Sequence, residues 1–340
     1  MVYKNDYPLK ELHTFAMDVQ TAHFIEYSSV EELVDILPRL WDEWKQLPLL
    51  HIGGGSNLLF TRDYYPGVIL HSAIKGGQVV KEDENIVHLC VGAGVVWDDL
   101  VSYCVSQGWG GMENLSLIPG EVGASAVQNI GAYGVEVKDL IVSVDAIDVT
   151  TGSFRTFSLE ECSYGYRKSI FKEKLKGKYI ITHVTYCLQK HPVFRLDYGN
   201  IRNELERMDE GISLESVRSA VIRIRESKLP DPKVLGNAGS FFMNPIVPRE
   251  VMECIRQDFP TMPYYEVDET QVKIPAGWMI EQCGWKGRAM GGAAVHEKQA
   301  LVLVNLGGAT WQEVVALSDA VRHDVKEKFN VEIHPEVNFI

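Results

Sequence analysis

The chain contains 340 residues, 46% of them hydrophobic and 23% charged, with a formal net charge of −13. An acidic balance of this size disfavours nonspecific binding to nucleic acid or to an anionic membrane. The longest apolar runs have the length of a strand, whereas a membrane helix needs ~20 apolar residues, and residues 1–10 lack the apolar core of a signal peptide. Six cysteines without a Cys-x-x-Cys pair, and histidines without metal-ligand spacing, predict reduced thiols, no metal and a cytoplasmic protein.

The pattern of apolar residues predicts alternating short strands and helices in the first third of the chain, and a different arrangement after about residue 215. Helices are predicted at 30–40, 97–107, 214–227, 248–259 and 311–330. Strands are predicted at 49–52, 68–71, 86–91, 141–150, 179–188 and 300–306, with a loop at 228–245. The polar run 203–211 places a domain boundary near 200–212. The mixture indicates an α+β protein of two or three domains, at ~150 residues per domain.

Two glycine-rich segments are typical of phosphate or pyrophosphate binding. The first, Gly53-Gly54-Gly55-Ser56-Asn57, directly follows a predicted strand, and the second runs from Ile118 to Gly134. Backbone N–H groups of such loops bind anions without positive side chains, which suits an acidic protein. In the second segment Gly120, Gly123, Ala124 and Ser125 offer N–H groups with little steric cover, and Gln128 and Asn129 add amide donors.

A third glycine pair, Gly92-Ala93-Gly94, imitates a dinucleotide-binding fingerprint. Trp97 stands where the third glycine would be, and no clear acidic strand end follows about twenty residues later. The chain also lacks the glycine–lysine–serine loop of nucleoside triphosphatases. An ordinary Rossmann site and phosphoryl transfer from ATP are therefore disfavoured.

Ser240 lies in the segment Gly236-Asn-Ala-Gly-Ser-Phe-Phe-Met-Asn-Pro245, between flexible residues and two aromatics. A serine presented in this way can act as a nucleophile, a hydrogen-bond donor or a proton donor. A nucleophile normally needs an activating base, and the Gly-x-Ser-x-Gly elbow of hydrolases is absent. Proton donation is favoured, with an ordinary turn as the alternative.

Three charged residues are candidates for the same site. Arg167 stands between aromatics in Ser163–Phe171, and a guanidinium suits a planar carboxylate, although a surface ion pair is the simpler interpretation. Lys228 begins a proline-stiffened segment that leads to Ser240, which favours a position near that loop. Glu336 would be a solvated charge unless residues 331–340 fold back into a cleft, as the neighbouring apolar residues suggest.

Taken together, these segments resemble the UDP-N-acetylenolpyruvoylglucosamine reductase family. The resemblance covers nearly the whole chain, with motifs in the family's order. They are His13-Thr14-Phe15, 53–57, 118–134, Tyr166-Arg167, 228–245, Gly291–His296 and Pro335-Glu336-Val337. The segments around Tyr198 and 164–171 are similar to those of the longer form of the family, in which a tyrosine-bearing loop closes over the substrate.

The resemblance implies an α+β fold with a two-subdomain FAD-binding unit of the vanillyl-alcohol-oxidase (PCMH) type, followed by a separate α+β substrate domain. The FAD-binding domain would span 1–210, split near 72. The substrate-binding domain would span 211–330, and a tail at 331–340 would return to the active site. Non-covalent FAD would contact Gly53, Gly54, Gly55, Ser56, Asn57, Ile118, Pro119, Gly120, Gly123, Ala124, Ser125, Gln128, Asn129, Gly131 and Gly134.

The implied reaction is the reduction of UDP-N-acetylglucosamine enolpyruvate to UDP-N-acetylmuramate in peptidoglycan precursor synthesis. NADPH, the co-substrate, reduces FAD, and flavin N5 then delivers hydride to the enolpyruvyl sugar. By analogy Ser240 donates the proton, and Arg167 and Glu336 stabilise the carboxylate intermediate. The residues implied to contact substrate are Tyr166, Tyr198, Lys228, Asn244, Tyr265, Lys273, Lys286 and Gln299. The expected protein is a monomer without nucleic-acid or membrane partners.

Two positions depart from the family pattern. His13 stands where the family often has Asn, and Asn338 stands where some relatives carry Arg, so a cation near the flavin is missing. Three alternatives remain: another FAD oxidase or dehydrogenase of the same fold, a catalytically silent sensor of flavin or UDP-sugar, and a structural protein. Covalent flavin attachment is disfavoured because the segment 118–134 contains no His or Cys and His51 is more simply a strand residue.

Overall fold

The computed structural model describes residues 1–340. The helices are α1 (Val30–Asp42), α2 (Trp97–Ser106), α3 (Val122–Gln128), α4 (Ile201–Met208), α5 (Leu214–Lys228), α6 (Arg249–Asp258), α7 (Ala276–Gln282) and α8 (Trp311–Phe329). The first ten strands are β1 (Val2–Pro8), β2 (Gln20–Tyr27), β3 (Leu49–Ile52), β4 (Leu58–Leu59), β5 (Tyr64–Ser72), β6 (Gly77–Glu82), β7 (Ile86–Gly92), β8 (Gly131–Ala132), β9 (Val135–Glu136) and β10 (Ile141–Asp148). The others are β11 (Phe154–Ser158), β12 (Tyr179–Gln189), β13 (Asn237–Ser240), β14 (Ile246–Pro248), β15 (Tyr265–Glu266), β16 (Gln271–Lys273), β17 (Ala289–Met290), β18 (Ala293–Val295), β19 (Val302–Asn305) and β20 (Asn338–Phe339).

The five predicted helices are present as α1, α2, α5, α6 and α8, and the strand predicted at 49–52 is β3. The prediction of a loop throughout 228–245 was wrong, because this segment contains β13. There Asn237 pairs with Val304 and Ser240 with Val302 of β19. This pairing joins residues far apart in sequence, so local composition could not indicate it.

The chain forms two compact units. The first contains Met1–Tyr7, Thr21–Gly54 and Tyr64–Ser227, and the second contains Pro8–Gln20, Gly55–Asp63 and Lys228–Ile340. The change from one unit to the other after α5 thus falls between Ser227 and Lys228, later than the predicted boundary near 200–212. Residues 203–211 are polar because most of them belong to α4 and its end, where Ile201 and Leu205 are the buried positions.

The first unit contains a four-stranded sheet of order β1-β2-β5-β3 and a five-stranded sheet of order β11-β10-β12-β7-β6. Helix α1 buries Leu33, Ile36, Leu37 and Leu40, which recur at helical spacing, and Ser29 Oγ caps it by accepting from Glu32 N at 3.2 Å. Burying each such side chain contributes roughly 1.5–3 kcal/mol. A second core joins α2, α3 and strands β7, β10 and β12. Helix α3 and the segments beside it are therefore held on a packed sheet.

The second unit contains a four-stranded sheet of order β13-β19-β18-β17, a three-stranded sheet of order β14-β16-β15 and a parallel pair of β20 with β4. Helix α8 buries Val314, Leu317, Val321 and Val325 and begins with a capping box of Thr310 and Glu313. No helix of the protein has both the length and the hydropathy needed to cross a membrane. No group of three His, Cys, Asp or Glu side chains is arranged to hold a metal ion.

Candidate active site

Arg167 lies in a tight turn of the first unit. Gly165 and Lys168 exchange backbone hydrogen bonds of 3.1 and 3.0 Å, and Arg167 within the turn has φ = 55°. A left-handed conformation costs a residue with a side chain roughly 1–2 kcal/mol, and strain of this kind is concentrated at functional sites. The guanidinium donates from Nη2 to Gly131 O at 3.1 Å and from Nη1 to Asn129 O at 3.5 Å. The side chain is therefore directed along the loop predicted to bind FAD.

The two glycine-rich segments approach each other within the first unit. A Cβ on Gly54 would lie 3.5 Å from the Cα of Gly120, and a Cβ on Gly53 would lie 3.3 Å from that of Ala124. Both loops were predicted to bind one ligand, and their small residues do lie together. A narrow, side-chain-free cradle of this kind allows a ligand to approach the backbone closely.

Three residues predicted to bind the cofactor have protein partners instead. Gly123 N–H donates to Ala93 O at 2.8 Å, and a Cβ on Gly123 would lie 2.9 Å from that of Ala93, so this glycine permits close packing. Ser125 is buried and donates from Oγ to Val122 O at 2.7 Å. Asn129 is also buried, and its amide is bonded within the protein.

A buried ionisable cluster beside Gly53 escaped the sequence analysis. His71 lies between two carboxylates, with Nδ1 3.0 Å from Glu26 Oε2 and Nε2 3.5 Å from Glu121 Oε1. Burial opposes a charge on His71, but hydrogen bonds and attraction from Glu121 and Glu26 outweigh it and raise the pKa of His71. Oε2 of Glu121 is buried without a hydrogen-bond partner, 3.1 Å from where a Cβ on Gly53 would lie. The signal in the sequence was a lone acid within a run of small residues.

His51 is a strand residue of β3, as the sequence analysis expected. Its Nε2 lies 2.7 Å from the Tyr27 hydroxyl. Burial, reinforced by the charge of His71, lowers the pKa of His51 to about 3. The ring is therefore neutral at pH 7 and is engaged within the protein.

Helix α5 contributes two arginines that the sequence analysis did not single out. Arg218 forms a two-pronged contact with Asp98 of α2, at 2.7 Å and 2.8 Å. Burial lowers the pKa of Arg225, and the charge of Arg167 acts in the same direction, against the opposing influence of Tyr133 and Asp98. Arg225 therefore adds a second cation near Arg167, which suits an anionic ligand.

In the second unit, Ser240 and Glu336 lie on segments joined by backbone hydrogen bonds. Ser240 ends β13, and Glu336 N–H donates to the carbonyl of the next residue, Phe241, at 2.8 Å. Asn57 Nδ2 donates to Glu336 O at 3.2 Å, and Asn338 N–H donates to Asn57 O at 3.1 Å. Within this unit the fold thus brings together the end of the first glycine segment, the Ser240 strand and the C-terminal residues.

Gly55 permits a close approach of two segments in the same unit. It has φ = 59°, and a Cβ on it would overlap the carbonyl oxygen of Leu12. Its own carbonyl accepts from Thr14 N at 3.2 Å. His13 Nδ1 and Thr14 Oγ1 are buried without partners here, so the opening motif also lines this part of the unit with unsatisfied polar atoms.

The residues predicted to contact substrate differ in what they already bind. Asn244 Oδ1 accepts from Ala276 N at 2.9 Å at the start of α7, and Gln299 Oε1 accepts from Leu301 N at 3.3 Å. Lys286 pairs with Glu281 at 2.8 Å, and Lys273 Nζ lies 5.7 Å from the centre of the Tyr265 ring. In the first unit, Tyr166 is partly buried and its ring centre lies 5.9 Å from Cζ of Arg167. Tyr198 and Lys228 are exposed, so the expectation that Lys228 is held near Ser240 has no contact to support it.

Known families and proteins are similar to the whole chain. Residues 21–158 match the FAD binding domain model, and 231–340 match the C-terminal domain model of UDP-N-acetylenolpyruvoylglucosamine reductase. The reductase of that name from Bacteroides fragilis (strain ATCC 25285) is 58% identical over 98% of this chain and 99% of its own. The one from Porphyromonas gingivalis (strain ATCC 33277) is 47% identical over 100% of both chains.

A solved structure shares the fold. The reductase from Thermus caldophilus matches with a TM-score of 0.69 and 22% identity, over 99% of this chain and 98% of its own. This likeness and the FAD binding domain match confirm the expected α+β fold class with an FAD-binding unit followed by a further domain.

Proposed function

Because the chain belongs to the UDP-N-acetylenolpyruvoylglucosamine reductase family of oxidoreductases, we propose that it reduces UDP-N-acetylglucosamine enolpyruvate to UDP-N-acetylmuramate with NADPH and FAD. The product is a precursor of peptidoglycan. The observation that carries the proposal is the hydrogen bond of 2.8 Å from Glu336 N–H to the carbonyl of Phe241. It ties the proposed carboxylate-stabilising residue to the strand that ends at the proposed proton donor, Ser240.

The glycine cradle of the first unit fits FAD. Gly53 and Gly54 face Gly120 and Ala124 without intervening side chains, so a pyrophosphate could approach backbone N–H groups there. The orphaned Oε2 of Glu121 adds an acceptor beside this cradle. Gly123, Ser125 and Asn129 would support the loop, because their polar groups are engaged within the protein.

When bound, FAD would supply the hydride that it had received from NADPH. The Ser240 hydroxyl would donate a proton to the carbon next to the substrate carboxylate. Arg167, held by the carbonyls of Gly131 and Asn129, would bind that carboxylate with a planar pair of donors. Glu336 would share in stabilising the charge that develops on it. Preorganised donors of this kind commonly contribute ~100–1000-fold in rate each.

Substrate recognition is proposed to use the remaining predicted side chains. Lys228 and the cations Lys273 and Lys286 would supply local positive charge for a diphosphate on an otherwise acidic protein. Tyr198 would close over the substrate, and Tyr265 would join the contacts. The assignment of 1–210 to FAD, 211–330 to substrate and 331–340 to the active site stays a prediction, as do a monomeric state and a cytoplasmic location.

The test is anaerobic stopped-flow absorbance on wild type and Ser240→Ala. NADPH should reduce the flavin of both proteins at nearly the same rate. Mixing reduced enzyme with UDP-N-acetylglucosamine enolpyruvate should restore the oxidised spectrum rapidly in wild type and more than ~100-fold more slowly in Ser240→Ala. Ser106→Ala, which removes an exposed serine hydroxyl of α2, is the matched control and should behave like wild type.

The possible results separate the alternatives. Equal slowing of both half-reactions in Ser240→Ala would remove Ser240 as the proton donor. Reduction by NADPH without reoxidation by the enolpyruvyl sugar would leave a flavoprotein with a different acceptor. Flavin that stays with the denatured chain would favour a covalent oxidase of the same fold.

A further inference from the structure

The side chain of Asn129 is buried and engaged within the first unit. It is 1% exposed and follows α3 directly. Nδ2 donates to Glu136 Oε2 at 3.0 Å and to Gly165 O at 2.8 Å, while Oδ1 accepts from Lys138 N at 3.1 Å. An amide has two donor hydrogens and two acceptor positions. Both hydrogens of Asn129 are therefore used before any ligand binds.

The Asn129 amide connects three segments that must agree in position. Gly165 is the first residue of the turn that contains Arg167, and its carbonyl accepts from both Lys168 N and Asn129 Nδ2. The backbone carbonyl of Asn129 itself accepts from Arg167 Nη1 at 3.5 Å. Asn129 thus contacts the Arg167 turn at its start and the Arg167 guanidinium at its end.

The backbone of Asn129 makes the residue type selective. Its φ of 46° is left-handed, a conformation in which asparagine is several-fold enriched among non-glycine residues. Arg167 is left-handed as well, with φ = 55°. Two strained residues that hold each other by side-chain and backbone hydrogen bonds are typical of a site whose geometry is fixed in advance.

We propose that Asn129 is a positioning residue for Arg167 and does not bind the cofactor through its side chain. The proposal rests on the proposed role of Arg167 in the reaction. Its amide holds the turn at Gly165 so that the guanidinium meets the substrate carboxylate in line. Other ties between the same segments are consistent with this role, since Lys172 Nζ donates to Arg167 O at 3.3 Å and Ser169 Oγ donates to Val127 O at 2.6 Å.

Asn129→Asp tests the proposal with almost no change in volume. An oxygen would replace Nδ2 and face two acceptors, Gly165 O and Glu136 Oε2, so the turn should move away from its position. Misplacement of a reacting group by about 1 Å can cost ~100-fold in rate. We expect reoxidation of reduced enzyme by the enolpyruvyl sugar to slow by about that factor, with a raised KM, while NADPH still reduces the flavin at nearly the wild-type rate.

The dissociation constant of FAD distinguishes positioning from cofactor binding. It is measured on apoprotein by the change of flavin fluorescence, and it should stay near the wild-type value in Asn129→Asp. Asn129→Gly, which keeps the left-handed backbone but removes the amide, should slow reoxidation less, because it leaves no repulsion. Asn330, exposed and left-handed at the end of α8 (φ = 52°), provides matched controls in Asn330→Asp and Asn330→Gly.

Three results would overturn the proposal. The first is FAD affinity about tenfold or more weaker with normal reoxidation at saturating FAD, which would make Asn129 a cofactor ligand. The second is reoxidation at the wild-type rate in a folded Asn129→Asp or Asn129→Gly protein, while Arg167→Lys is slow. The third is an Arg167→Lys protein that reoxidises normally, which would remove the proposed role of Arg167 itself. Slow reoxidation in Asn129→Asp with unchanged FAD affinity supports the proposal.

Discussion

Replacing Asp98 with asparagine should destabilise the first unit, because this carboxylate joins three parts of it. Asp98 lies in the first turn of α2 and accepts from Nη1 and Nη2 of Arg218 on α5 at 2.7 and 2.8 Å. It also accepts from Leu117 N at 2.5 Å, immediately before the segment 118–134. Leu117 is itself left-handed, with φ = 58°, so the Asp98 bond stabilises a strained entry to that segment.

The expected loss is about 2–3 kcal/mol in the free energy of unfolding. Breaking a buried ion pair by removing one partner costs roughly 3–5 kcal/mol. The side chains of Asp98 and Arg218 are 26% and 14% exposed, so water compensates part of that loss. At ~2–4 °C per kcal/mol for a unit of this size, the midpoint of thermal unfolding should fall by about 4–10 °C.

The effect should depend on pH in a definite direction. Burial alone would raise the pKa of Asp98, but hydrogen bonds from Arg218 and Leu117 and the charge of Arg225 lower it below its ordinary value. The stabilisation by Asp98 is therefore fully present above the ordinary carboxyl pKa and is lost as the pH falls through the lowered one. Wild type and Asp98→Asn should differ most at neutral pH and converge in acid.

Urea unfolding of Asp98→Asn, Arg218→Met and the double variant, followed by circular dichroism, measures the coupling between the pair. Glu43→Gln, which removes an exposed pair with Arg39 on α1, is the control and should have no measurable effect. Asp98→Asn within about 0.5 kcal/mol of wild type, or single changes that simply add, would refute the view that this pair holds α2, α5 and Leu117 together.

Two further predictions concern stability near the glycine segments. Gly55→Ala should cost about 3 kcal/mol, because its Cβ would overlap Leu12 O in a left-handed backbone. Gly76→Ala, left-handed but with open space around it, should cost less in urea titrations, and equal losses would contradict the steric argument. For His51, whose pKa is lowered from 6.5 to about 3 by burial and by His71, stability should decrease as the pH falls between those values, by up to ~1.4 kcal/mol per pH unit. His51→Gln should flatten this part of the profile of unfolding free energy against pH, and parallel profiles for the two proteins would exclude that origin.

The sequence predicted the elements whose signal is local. Leu33, Ile36, Leu37 and Leu40 recur on one face of α1 and are buried there, and β3 has the predicted limits. The polar run after Ile201 misled the boundary prediction, because an amphipathic helix with few buried positions has the composition of a linker.

The site was predictable only in part. Ser240 and Glu336 are distant in sequence, and only the resemblance to a family connected them before the fold did. The roles of Gly123 and Asn129 could not be read from composition. A glycine that permits packing on Ala93 and an asparagine that bonds to Gly165 have the same letters as residues that bind a ligand. Glu121 and His71 were missed because their proximity depends on the folding of β5 against the loop.

The parallel pairing of β20 with β4 has a consequence for biosynthesis. The bond from Asn57 to Glu336 spans 279 residues, and the bond from Asn338 to Asn57 spans 281. The first unit has nearly all of its residues by Ser227 and can acquire its core while translation continues, since domains generally fold in order of their emergence. Residues 55–63 must wait, unpaired, until the ribosome has translated the codons for β20. The emerging chain therefore needs protection from aggregation at Gly55–Asp63 for most of the time that its synthesis takes.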